Sequence, residues 1–312
     1  MPTESPLELP ALIEALKLQT PPLLRWSGAI ARKLRQYNVA VDGKSSGNAN
    51  TDALTLADLT IQQLVVDGLR DLDPLFRNCR IEAEENTGDL QAFSSDSPYV
   101  LALDPIDGTR TFRDHSGDGD AVMLHLRDAA QVLYSLVYLP EMGPAGTWVQ
   151  AYGETIKYGP DDPSVPAVQC LDSLPSLPLD QPSSASKIYL IGFQEHDGDR
   201  ARLVTDAGLH GVPPDAMPGS IYPLLCSGDF GGSLIHSPNV YDFPVSSHLV
   251  RILGGDAVWA HNGESIHFRE SWLDDRADML RLPGVVACAI NRDALRTLAQ
   301  LARDWDQRRY PD

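Results

Sequence analysis

The segment Leu101-Ala-Leu-Asp-Pro-Ile-Asp-Gly-Thr109 constrains this chain more than any other. Val100 to Leu103 is a short apolar run that reads as a buried strand. It is expected to stop at Asp104-Pro105, because proline has no NH for a ladder and biases its neighbour towards extended backbone. Asp107 follows three positions after Asp104, so two carboxylates can be turned towards one point beyond the strand end. Gly108 and Thr109 then open a helical turn whose unpaired amides suit a phosphate. Oxygens for a cation and donors for an anion thus stand side by side. Pro, Asp and Gly also make ordinary turns, and the segment alone leaves both readings open.

The charge balance limits the partners. With 25 Lys and Arg against 43 Asp and Glu, the formal net charge is -18, which repels a phosphate backbone and argues against a nucleic-acid polymer. A small anionic substrate would need local help, such as bound cations. Magnesium takes oxygen ligands and keeps several waters, so a few carboxylates suffice. Zinc is disfavoured: the eight histidines form no HExxH, and Cys79, Cys170, Cys226 and Cys288 form no CxxC pair. The cysteines are expected to be reduced and structural. No stretch reads as a membrane span or a secretory leader, which makes the cytoplasm the expected location.

Hydrophobic spacing gives the organisation. Pro21-Pro22 can open a helix with Leu23, Trp26, Ile30, Leu34 and Tyr37 on one face, and Ala57, Ile61, Leu64, Val65 and Leu69 mark a second. Residues 42–52, rich in Gly, Ser and Asn, read as a mobile loop. Strands are expected at Ala121–Leu126, Val132–Leu139, Thr147–Tyr152, Lys187–Phe193 and Val285–Ile290, and helices at Arg200–Ala207, Gly219–Ser227 and Asp242–Leu253, the last stopping at Gly254-Gly255. Asn291 can cap a closing helix that carries Leu295, Leu298, Leu301 and Trp305. Six prolines between Pro160 and Ser186 mark a connection or exposed ornament. The expected division is therefore an α+β lobe over 1–159, a Pro-rich connection over 160–186 and an α/β lobe over 187–312.

Four separated elements resemble the inositol monophosphatase superfamily of magnesium-dependent, lithium-sensitive phosphomonoesterases. An apolar strand followed by D-P-[IL]-D-G-[TS] is matched at every place by Asp104 to Thr109. Glu84-Glu85 matches the family's upstream glutamate pair, although Ala83 stands where a glycine is usual. Thr55-Leu-Ala-Asp58 matches its Thr-x-x-Asp at a helix start, and Tyr241-Asp242 with Gly254-Gly255 matches its aromatic-Asp helix. The resemblance implies a layered α/β/α/β/α sandwich and hydrolysis of a small phosphate monoester, such as an inositol or sugar phosphate. It implies two or three Mg2+ ions on Glu84, Asp104, Asp107, Asp242 and the carbonyl of Ile106. Asp58, Thr109 and Glu84 would be catalytic, Thr109 paired with Asp58 would orient and deprotonate a water, and the Gly108 and Thr109 amides would hold the phosphate. A homodimer is compatible with it.

Departures bear on the substrate. Where the family usually has W-D-x-A-A-G, this chain has Tyr241-Asp-Phe-Pro-Val-Ser246, so a changed pocket is expected. Arg110 directly follows Thr109, a place where relatives that cleave 3'-phosphoadenosine 5'-phosphate often carry Lys; a bisphosphate nucleotidase is therefore the enzymatic alternative. A catalytically silent binder of phosphorylated metabolites or of a partner protein is the alternative of another class. Glu85 is expected to support Glu84, and Lys44 to be a loop lysine or part of a loop swinging over the metals. Asp118 and Asp120 read as an acidic turn, His248 as a satisfied core or surface histidine, and the five tryptophans as packing residues.

Overall fold

The computed structural model describes residues 8–37, 40–41, 54–179 and 185–310. Helix α1 (Leu9–Arg35) and α2 (Leu56–Leu72), followed by the single turn α3 (Pro74–Arg77), cover one face of a six-stranded sheet. Its strands lie in chain order: β1 (Arg80–Ala83), β2 (Val100–Asp107), β3 (Ala121–Arg127), β4 (Val132–Leu139), β5 (Thr147–Tyr152) and β6 (Thr155–Pro160). Within this sheet, among the described residues, only β1 and β2 pair in parallel. The short helix α4 (Thr109–Asp114) follows β2, and α5 (Ala167–Ser173) packs Ala167, Cys170 and Leu171 into the α1 side of the core.

A second sheet is built from β7 (Lys187–Ile191), β8 (His210–Val212), β9 (Gly232–His236), β10 (Asp256–Trp259) and β13 (Val285–Ala289) in the order β10-β13-β9-β7-β8. The hairpin β11 (Trp272–Asp274) and β12 (Met279–Arg281) stands apart. Helices α7 (Ile221–Ser227) and α8 (Phe243–Ile252) fill the space between the sheets: Tyr222, Leu225, Val245 and Leu249 share a core with Met123 and Val137 of the first sheet and Val286 and Cys288 of the second. On the outer face, α6 (Asp197–Asp206) and α9 (Arg292–Ala302) cover Ile188, Leu190, Leu234 and Ala287. The layers therefore run helix, sheet, helix, sheet, helix, the sandwich that the sequence resemblance implies. Among the described residues no helix is long and apolar enough to cross a membrane, and all four cysteines are free.

Several local expectations are corrected. Helix α1 begins at Leu9, not Pro21, and runs through Pro21 and Pro22. The two prolines leave the carbonyls of Lys17 and Leu18 without intrahelical NH partners, a loss tolerated because Leu12, Leu16, Leu23 and Leu24 on both sides are deeply buried. Its inward stripe is also rotated: Trp26 and Tyr37 are exposed, while Ser27, Gly28 and Ala31 face the sheet. A Cβ on Gly28 would stand 2.6 Å from the Tyr138 ring, so close approach of small residues, rather than aromatic bulk, sets the helix rotation. Helix α5 lies within the expected connection 160–186, and strand β6, at the end of the expected first lobe, was not assigned from the sequence. Asn291 caps α9 as expected, accepting from the amides of Asp293 and Ala294.

Candidate active site

Strand β2 does not stop at Asp104 but continues to Asp107, with an irregular ladder: Asp104 faces Met123 and Asp107 faces Ala121. Three residues on β2 therefore span two on β3, a one-residue bulge at the proline. In a regular strand positions three apart point to opposite faces. The extra residue cancels that alternation, which is why Asp104 and Asp107 converge. The Asp104 carboxylate also accepts the Ile106 amide at 3.0 Å. Gly108 takes a left-handed φ of 83° that turns the chain into α4.

Asp58 arrives from the start of α2. One of its oxygens accepts the Thr55 amide (2.7 Å) and hydroxyl (2.6 Å), forming a capping box. The other accepts the Thr109 hydroxyl at 3.0 Å, which also lies 2.8 Å from the Ile106 carbonyl oxygen. Asp58 is fully buried, and burial pushes its carboxyl up to about 6.

Asp242 comes from the other side, at the mouth of α8. Asn239 holds it: the Asn239 side-chain NH2 donates to the Asp242 carboxylate at 3.0 Å, while its oxygen accepts the amides of Tyr241 and Asp242 at 2.9 Å each. Oxygens of Asp104, Asp107 and Asp242 lie within 4.8 Å of one another. Glu84 stands beside Asp104, and Tyr222 of α7 beside Asp107, each near enough to bear on its neighbour's titration.

Burial, and then the charges of their neighbours, raise Asp104 and Asp107 well above the usual carboxylate range. Burial pushes Asp242 up to about 6. Such a cluster is costly as bare anions and is relieved by protons or by a cation. The donors are all oxygen, with no histidine or cysteine in the group, a set suited to magnesium rather than zinc.

The cluster opens into a cavity of about 580 Å3. One wall is Gly108 to Thr111 and the loop Ser116–Gly119; the other is formed by Tyr189, Ile191 and Ile235 at the carboxyl ends of β7 and β9, with Met217 and Met279. Phe243 and Ser246, in the segment that departs from the family's pattern, also line it.

Of the residues named from sequence, Glu84, Asp104, Ile106, Asp107, Gly108, Thr109, Arg110 and Asp242 line this cavity, and Asp58 stands behind Thr109. Arg110 bridges to Asp215 (3.4 Å) across the opening and lies 3.8 Å from Asp114. Glu85 is buried off the cavity, its amide held by Gln62 at 2.8 Å. Lys44 and the whole of its expected loop 42–52 lie outside the described residues. His248 is buried with its Nδ1 3.0 Å from the Ser135 hydroxyl. Asp120 is not an exposed acidic turn but a buried partner of Arg35. Sequence reasoning did not reach Asn239 or Tyr222. Asn-x-x-Asp before a helix is a readable Asx-turn signal; nothing local marks Tyr222.

The sequence model of the inositol monophosphatase family matches residues 22–201, more than half of the chain. No curated protein matches it in sequence. Among solved structures, the extragenic suppressor protein suhB from Bartonella henselae superposes with a TM-score of 0.63 at 14% identity, covering 95% of this chain and 100% of its own. Staphylococcal inositol monophosphatase-1, solved as a LiCl-soaked inhibitory complex, gives 0.61 at 14% identity with 98% of each chain covered. An IMPase/NADP phosphatase complexed with Mg2+ and phosphate gives 0.59 at 14% identity, covering 89% of this chain and 92% of that one. The bulged Asp-Pro-Ile-Asp-Gly-Thr strand, the capping-box aspartate behind its threonine and the family match all agree: this chain belongs to the inositol monophosphatase family.

Proposed function

We propose that this protein hydrolyses a small phosphate monoester, with an inositol or sugar phosphate as the first substrate class, and that Glu84, Asp104, Asp107, Asp242 and the Ile106 carbonyl hold magnesium. The observation that carries the reading is the approach of Asp104, Asp107 and Asp242 oxygens, within 4.8 Å of one another, on the wall of a cavity shared with Thr109. When bound, magnesium supplies an acidified water and charge neutralisation for the phosphate and the leaving oxygen. The chain's own groups do the rest. Asp58, with its carboxyl raised to about 6, accepts a proton through the Thr109 hydroxyl, and the Gly108 and Thr109 amides orient phosphate oxygens. Asn239 fixes the direction of Asp242, and Tyr222 stands beside Asp107. The chain is proposed to act as two lobes, 1–159 and 187–312, that meet at this cavity.

A second substrate reading is favoured by the wall formed by Tyr189, Ile191, Met217 and Ile235. A surface of that kind accommodates a base better than a polyol, which supports a nucleotide such as 3'-phosphoadenosine 5'-phosphate; similarity in fold to an IMPase/NADP phosphatase points the same way.

The test is phosphate release with magnesium from inositol 1-phosphate and from 3'-phosphoadenosine 5'-phosphate, each with and without lithium, against Asp104→Asn. Release from either, abolished in the variant and inhibited by lithium, supports the reading. No release from any small monoester would make the protein a silent binder and overturn it.

A further inference from the structure

The loop that follows the catalytic turn is fastened to α1 by one side chain. Arg35 donates from Nε to the Phe112 carbonyl (3.1 Å), from Nη1 to the Asp120 carboxylate (3.0 Å) and from Nη2 to the carbonyls of Thr111 (3.2 Å) and Gly117 (2.7 Å). The pair is buried, with Arg35 at 8% and Asp120 at 1% exposure. Helix α4 has six residues, and two of the carbonyls at its far end are taken by this guanidinium. Residues 116–119, held between those contacts and Asp120, line the cavity.

At its tip the loop touches the opposite wall backbone to backbone. A Cβ placed on Gly119 would lie 2.7 Å from the Ser220 nitrogen and 3.0 Å from the Gly219 carbonyl carbon. Gly119 is therefore required for space, and a methyl there has only main chain to displace. Arg35 fixes the near wall, and the Gly119 contact sets its distance from the far one.

We propose that Arg35 is a positioning residue for substrate binding: through the loop 115–120 and the Gly119 contact with Gly219–Ser220, it sets the width of the cavity. The inference rests on the phosphatase reading for its kinetic consequence, though not for the clamp itself. A lysine cannot replace Arg35, because one ammonium does not reproduce a planar fork serving four acceptors.

The test uses Arg35→Ala, Arg35→Lys and Gly119→Ala in the full chain with magnesium. Arg35→Ala and Gly119→Ala should each raise KM for the better of the two esters about tenfold with kcat within about threefold, since uniform binding is lost while the reacting groups remain. Arg35→Lys should recover less than half of that loss. The rise in Tm produced by magnesium alone should be unchanged in all three. Amide exchange over 115–119 should quicken about tenfold in Arg35→Ala while β2 stays protected, because the loop loses its anchor and the strand does not.

An unchanged KM in Arg35→Ala would overturn the proposal, as would losses in kcat that simply follow a falling Tm. Should Arg35→Ala fail to fold, Arg35→Lys decides, with a KM raised by at least half of the expected loss supporting the proposal and an unchanged KM overturning it. A wild type that hydrolyses neither ester overturns the proposed function instead, and the exchange result over 115–119 then decides the clamp.

Discussion

The two sides of the cavity are built in opposite ways. On the first-sheet side, Asp104, Ile106, Asp107, Gly108 and Thr109 come from one bulged strand end, with Asp58 and Glu84 close behind. Their geometry follows from local rules: a proline that breaks a ladder, an extra residue that restores a common face, a capping box that orients a carboxylate. On the second-sheet side, the lining residues range from Tyr189 to Arg309 and come from several separate segments. Most of the charged cluster is concentrated in a short segment, and Asp242 is the carboxylate that the other side contributes. The shape that meets the substrate is distributed.

If that contrast is right, damage on the first-sheet side should remove the reaction, and damage on the other should tune it. The largest effect is expected for Asp104→Asn, which should lower kcat roughly 10³-fold or more by removing a charge aimed at the reacting centre. Calorimetry should show the magnesium-dependent rise in Tm lost, while the metal-free variant melts no lower than wild type because a buried repulsion is gone. Asp58→Asn comes next, at about 10²-fold in kcat. Its remaining carbonyl oxygen can still accept from Thr55, so helix α2 should keep its stability. A variant that lost activity only by unfolding would contradict the assigned role of Asp58.

The same contrast explains how much was legible in advance. The Asp104–Thr109 string could be read because it couples a local backbone rule to its chemistry, whereas the Thr55–Asp58 box and Asp242 were reached through the resemblance to the family. The stripe of α1 was misread because helical spacing records which residues are apolar, whereas the decisive contact was Gly28 against the Tyr138 ring. Strand β6 and helix α5 were hidden by turn-forming residues around them, and their place is set by packing on β5 and α1. Asp120 looked like a solvated acid because its partner, Arg35, lies 85 positions upstream. Tyr222 had no local signal at all.

Asn239 sharpens the comparison, because it lies on the distributed side yet acts on a carboxylate. Asn239→Ala removes one donor to Asp242 and the acceptor for two amides. Groups that orient a ligating carboxylate commonly matter by 10–100-fold, so the apparent magnesium affinity should weaken by roughly 10-fold or more. Titration of Tm against magnesium reads this without turnover. Equal magnesium dependence in the variant would place Asn239 with the substrate wall rather than with the charged cluster.

The smallest effect concerns how the two sides stay together. His248 on α8 meets Ser135 on β4 at 3.0 Å, so the helix that begins with Asp242 is seated on the first sheet partly through this contact. Burial, aided by the charge of Arg251, lowers the imidazole to about 3. Because the folded value lies below the usual value of about 6.5, the unfolded chain takes up the proton first. The stabilising contribution is full above about pH 6.5 and is lost as pH falls towards 3, at about 1.4 kcal/mol per unit. The carboxylate cluster titrates in the opposite sense, since raised carboxyls favour the folded state in acid, but it is common to wild type and His248→Gln and cancels in their difference. Denaturant unfolding should therefore show the variant less stable at pH 7 and the gap narrowing by about 1.4 kcal/mol at pH 5.5. A gap that stays constant over that interval would mean that His248 is not held neutral in the folded protein, and that acid does not loosen the contact between the two sides there.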